Sequence, residues 1–90
     1  STLQTPRYDE SLWLIRNGQP GAADALHEQL QRSDLPAIQR ATLLAELPLY
    51  PSDQSLKLAT RDLQNPAPQV RESAVRAISA FLPPIERASL

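Results

Sequence analysis

Apolar residues recur three or four positions apart in five stretches of the chain, and glycine or proline interrupts the pattern between them. The spacing predicts a first helix over Tyr8 to Arg16, containing Leu12, Trp13 and Ile15. Asp9 and Glu10 stand in its first turn, where a helix dipole favours acids. Asn17-Gly18 stops it, with Gly18 as the left-handed residue after the end. A second helix is expected from about Gly21 to Arg32, with Ala22, Ala23, Leu26 and Leu30 as its stripe. A third, from about Pro36 to Leu47, carries Ile38, Ala41, Leu43, Leu44, Ala45 and Leu47 round most of its circumference. Only Gln39, Thr42 and Glu46 form a polar strip, so this helix is expected to be central and buried on several sides. Ser52 caps a fourth helix running to about Leu63, with Leu56, Ala59 and Leu63 facing inward. The fifth spans roughly Pro68 to Phe81 on Val70, Ala74, Ala77, Ile78 and Phe81. Ser1 to Pro6 reads as a loose lead-in, and Ile85 to Leu90 as the first turn of a sixth helix.

The pattern also repeats. Asp34-Leu35-Pro36-Ala37-Ile38-Gln39-Arg40 aligns with Asn65-Pro66-Ala67-Pro68-Gln69-Val70-Arg71 at an offset of 31. The same offset pairs Thr42 with Ser73, Leu43 with Ala74, Leu44 with Val75 and Leu47 with Ile78. The preceding helices align at 33, pairing Ala23 with Leu56, Leu26 with Ala59 and Leu30 with Leu63. The difference is a longer first loop. In each copy an acid or amide sits in the turn, and an arginine follows six residues later. Arg71 lies roughly 100° round the helix from Val70, so its stem falls within the apolar arc. A charge placed there needs a partner at its tip. A ladder of Asp34 to Arg71 and Asn65 to Arg40 supplies one; the alternative is that both arginines reach water.

Composition agrees with an all-helical chain. There are 15 Leu and 12 Ala against two Val and four Ile, and nine prolines cut the chain into short helices. Ninety residues make about one domain, with a thin core. The net charge of −1 gives no electrostatic case for nucleic acid. No apolar run approaches the ~20 residues of a membrane span, so no membrane insertion is expected. The chain has no cysteine and one histidine, so disulfides, Cys-based zinc sites and a His–His metal pair are excluded within it. No cofactor is expected.

Asn65-Pro-Ala-Pro-Gln-Val-Arg71 followed by Glu-Ser-Ala-Val-Arg-Ala-Ile78 resembles the HEAT-repeat family pattern Asp-Pro-x-Pro-x-Val-Arg, x-x-Ala-x-x-Ala-Leu. Asp34 to Arg40 is a weaker second copy, and Asn65 departs from the usual Asp. The resemblance covers about residues 21–81. It implies an all-α, right-handed α-α superhelix of about five helices, with repeat pairs near 21–47 and 52–81. It also implies that the second helices of the pairs line a concave partner surface. Gln39, Thr42, Glu46, Glu72, Arg76 and Ser79 are the candidate partner-binding residues, and Asp34, Arg40, Asn65 and Arg71 the candidate structural ladder.

A narrower resemblance rests on Tyr8 and Leu12, Asn17-Gly18-Gln-Pro-Gly-Ala22, Leu35-Pro-Ala-Ile-Gln-Arg-Ala-Thr42, Tyr50-Pro51 and Leu82-Pro-Pro84. These are similar to HEAT/TPR-like regions in large bacterial multihaem c-type cytochrome proteins. That likeness implies an exported, periplasmic parent and an accessory domain that spaces or docks haem domains; without it the expectation is cytoplasmic. Cys-x-x-Cys-His motifs are absent from this segment, so it would be a non-haem part.

No catalytic constellation stands out. Asp24 and Glu28 share a helical face and are expected to be solvated, with His27 beside them as an exposed surface residue. No nucleophile motif surrounds any serine, and Gly18 and Gly21 form no phosphate loop. Trp13 is expected in the core, capping the first helix pair. The reading is a non-catalytic protein–protein interaction or scaffolding module. It is expected to be monomeric by itself and, lacking any Met, to be a processed product or a piece of a longer protein whose stack continues after Pro84.

Overall fold

The computed structural model describes residues 7–81. The expected lead-in and sixth helix lie outside the described residues. Five α-helices follow in order: α1 (Tyr8–Arg16), α2 (Ala22–Gln31), α3 (Ala37–Leu44), α4 (Asp53–Arg61) and α5 (Pro68–Phe81). Short 3₁₀ turns at Leu47–Leu49 and Asp62–Gln64 follow α3 and α4. There is no strand among the described residues.

The end of α1 follows from Gly18, which takes φ +58. That turn lets Gly18 N–H bond the Ile15 carbonyl (3.4 Å) and Gln19 N–H bond the Leu14 carbonyl (3.0 Å), so two otherwise orphaned acceptors are satisfied. Two prolines shorten the next helices. Pro48 has no N–H for the Leu44 carbonyl, and its ring crowds that group. α3 therefore stops at Leu44, three residues before the expected Leu47, and tightens into the 3₁₀ turn. Pro66 does the same to the carbonyl of Asp62, so α4 stops at Arg61 rather than Leu63. At the other end of α4, Ser52 Oγ accepts from Ser55 N–H at 3.0 Å, the expected cap. Pro68 opens α5, where a missing N–H costs nothing.

α1 packs on α2, α2 on α3 and α4, and α5 on α3 and α4. The shared core contains Ile15, Leu26, Leu30, Leu43, Leu44, Leu47, Leu58, Ala59, Val70, Ala74 and Ala77. Ala59 and Ala74, both fully buried, leave only methyl groups at positions facing the packed helices.

Several expected faces need correction. α3 is not apolar-buried all round: Ile38 is 73% exposed and Ala45 is exposed, while the charged Arg40 is buried. On α4 the inward stripe is Ser55, Leu58, Ala59 and then Asp62, and Leu56 points outward. α2 buries Ala25 and Gln29 besides the expected Ala22, Leu26 and Leu30. These faces match one another across the repeat. At the offset of 33, buried Ala22, Ala25, Leu26 and Gln29 correspond to buried Ser55, Leu58, Ala59 and Asp62.

Candidate functional site

The most buried charges of the described chain are Arg40 and Asp62, 5% and 4% exposed. Arg40 projects from α3, and Asp62 sits where α4 gives way to its 3₁₀ turn. Nε of Arg40 donates to both carboxylate oxygens at 3.0 Å. Nη1 donates to the Arg32 carbonyl at 2.7 Å, and Nη2 donates to the Leu30 carbonyl. Arg61 Nη2 reaches the same Leu30 carbonyl at 2.7 Å. Carbonyls at the end of α2, which have no partner within their own helix, are thereby satisfied from α3 and α4. The arrangement joins three helices and leaves the guanidinium committed to protein partners.

Neither rung of the expected ladder forms. Arg40 meets Asp62, not Asn65. Asp34 pairs with Arg32 (3.0 Å), two residues away, and not with Arg71. The hydrogen bond from Arg32 holds the Asp34 carboxyl below its ordinary pKa. Asn65 Oδ1 accepts from Ala67 N–H at 2.9 Å and fixes the turn before α5. Arg71 is exposed, and its Nη1 donates to the Asn65 and Pro66 carbonyls at 2.8 and 3.0 Å. Arg32 and Asn65 are equivalent at the offset of 33, so both arginines clasp the turn preceding their own helix. Only the first also receives a carboxylate among the described residues.

His27 is half-buried rather than exposed, and its Nε2 lies 2.8 Å from Ser55 Oγ. Ser55 donates its own proton to the Tyr50 carbonyl (2.7 Å) and accepts from Ser52 Oγ (3.2 Å). Nε2 must therefore be the donor, which fixes the neutral tautomer as Nε2–H. A histidine protonated at that nitrogen is no base for Ser55, and Ser55 is fully buried. The contact fastens α2 to the start of α4. Burial lowers the pKa of His27, with Asp24 opposing in part. A similar polar tie joins α1 to α2: buried Gln29 Nε2 donates to Ser11 Oγ at 3.1 Å. Tyr50 OH donates to the Ile15 carbonyl at 2.6 Å, and Arg16 pairs with Glu46 at 3.2 Å, so both hold the end of α1.

The candidate partner residues divide into two groups. On α5, Glu72 and Arg76 are exposed and line an open groove with Leu63, Pro68, Arg71 and Val75. Ser79 is half-buried and has its own interaction. On α3, Gln39, Thr42 and Glu46 are half-buried. The Thr42 hydroxyl donates back to the Ile38 carbonyl (2.9 Å), and Glu46 accepts from Arg16, so this set is more committed to the fold.

Trp13 was expected inside but is 58% exposed. The buried face of α1 is Ser11 and Ile15, and a helix turns Trp13 away from both. It lines a second open groove with Asp9, Glu10 and Leu14. Periodicity carried the signal: Ser11 and Ile15 are four apart, and Trp13 lies midway between them. No three His, Asp or Glu side chains gather at a metal-binding distance among the described residues. No described helix is long and apolar enough to cross a membrane.

Compared with protein-family models, characterised proteins and solved structures, the chain matches none of them.

Proposed function

We propose that this chain is a non-catalytic helical module for protein–protein interaction or scaffolding, built from two stacked HEAT-like helix pairs. The observation that carries the reading is the division of its side chains. The polar groups inside are committed to joining helices, while large apolar groups stand on the outer faces of α1 and α5 beside charged residues. Trp13 is 58% and Val75 53% exposed. Tryptophan and arginine are enriched among the side chains that anchor protein interfaces, and both types are exposed here, Trp13 on α1 and Arg71 and Arg76 on α5. The contacts of α2 with α4 and of α3 with α5, and the matching burial at an offset of 33, support a stack of helix pairs.

A photo-crosslinking amino acid at Arg76, introduced into the protein in its native cells, identifies what meets the α5 groove. Affinity for that protein is then measured with Glu72→Lys, Arg76→Glu and Glu46→Lys variants of unchanged helicity. The reading expects weakening at Glu72 and Arg76, with a smaller effect at Glu46. Unchanged affinity for all three variants contradicts it.

A further inference from the structure

α3 shows what an arginine-bearing helix face of this chain looks like when covered. Arg40 and Leu44 lie four apart on α3, and both are buried, Leu44 completely. α5 packs on that helix, and Asp62 answers the guanidinium. Arg71 and Val75 repeat the pair on α5 at the offset of 31, yet both are exposed. Arg76 is exposed beside them, and no carboxylate among the described residues pairs with Arg71 or Arg76. A cover for this face must therefore supply apolar surface together with a carboxylate.

The chain carries such a face. α1 presents Trp13 and Leu14 beside Asp9 and Glu10. Asp9 and Trp13 are four apart, the spacing of Arg71 and Val75, so the acid–aromatic pair matches the cation–aliphatic pair over one helical turn. Asp9 has no ion-pair partner among the described residues, while Glu10 is held by Arg7 at 3.2 Å. Glu72 lies in the α5 groove with both arginines, leaving one positive charge in excess. α1 packs on α2, and α5 on α3 and α4, so the two faces belong to opposite ends of the helix order.

We propose that the outer face of α1 of one copy docks into the α5 groove of a second copy, head to tail. Asp9 meets Arg71 and Arg76, and Trp13 and Leu14 cover Val75, Leu63 and Pro68. The two faces differ, so the contact is heterologous and builds rows or rings rather than a closed two-fold dimer. The proposal replaces the monomer expected from sequence, and it rests on reading α1 and α5 as binding faces.

Sedimentation velocity over a concentration series tests it, with helicity of each variant checked by circular dichroism. The wild-type chain should form concentration-dependent oligomers beyond dimer that weaken as salt rises. Asp9→Arg and Arg76→Glu, each alone, should weaken association at least about tenfold, since like charges then face each other. An equimolar mixture of the two variants should associate again, because the reversed head meets the reversed groove. Trp13→Ala should weaken association, and mixing it with Asp9→Arg should not restore it, because both variants lack a competent head. A wild-type chain that stays monomeric overturns the proposal, as does association indifferent to these substitutions or a mixture that fails to recover. A monomeric chain that still binds its crosslinked partner through Glu72 and Arg76 would remove only the self-docking.

Discussion

Arg40 and Asp62, 22 residues apart, form a buried ion pair whose guanidinium also holds carbonyls at the end of α2. One side chain thus connects both helix pairs: α2 and α3 of the first, and the end of α4 in the second. The cost of desolvating the two charges is offset by hydrogen bonds on all three guanidinium nitrogens. With so many partners fixed in place, this residue is part of the frame and not of a reactive site.

His27 makes stability depend on pH. Burial lowers its pKa below the ordinary 6.5, so between the two values the unfolded chain binds more protons. Stability from this group is complete above 6.5 and declines as pH falls through the lowered folded value. Urea midpoints measured between pH 7.5 and pH 5, conditions chosen to bracket the usual histidine range, should fall toward acid. His27→Gln should flatten that slope. A slope unchanged by the substitution would show that other groups cause it. The Asp34 carboxyl acts in a lower window: its pKa is depressed, so its contribution is present above 3.8 and is lost as pH falls through the folded value.

Gly18→Ala isolates a backbone effect. A Cβ there meets no atom within 4 Å, so the cost is that of holding φ +58 with an L side chain. About 1–2 kcal/mol of destabilisation is expected, and less for Gly18→Asn. Equal stability of all three chains would mean that α1 ends in another way.

Ala74→Glu places a carboxylate at a fully buried position where α5 packs on its neighbours. An unpaired buried charge costs several kcal/mol, comparable with the whole stability of a domain of this size. Loss of far-UV circular dichroism and of cooperative melting is expected. An unchanged melting temperature would contradict the helix register throughout the second pair.

Much of this frame was legible in local sequence. Asp9, Glu10 and Gly18 bound α1 at the observed residues, and Ser52 capped α4 as its position implied. The ends of α3 and α4 were harder, because Pro48 and Pro66 act four residues upstream, on carbonyls rather than on their own position. The repeat pattern shows that its arginine needs a partner but points to the turn residues Asp34 and Asn65, whereas Asp62 meets Arg40. The signal lay in the α4 stripe: Asp62 follows Ala59 by three and Leu58 by four, which places it on the buried face. The same spacing turns Trp13 outward, since buried Ser11 and Ile15 lie two residues from it rather than three or four. Pairing across helices is set by tertiary contact, so no local rule named Gln29 for Ser11 or His27 for Ser55.

The most direct test of the frame is a double-mutant cycle on Arg40 and Asp62, read by urea unfolding. Arg40→Met and Asp62→Leu should each cost about 3–5 kcal/mol, because each leaves the other charge buried alone. The double variant should cost far less than the sum. It retains only the loss at the Arg32 carbonyl, about 1–3 kcal/mol, since Arg61 still serves Leu30. Single variants that each cost under about 1 kcal/mol and simply add would contradict a buried pair joining the two helix pairs.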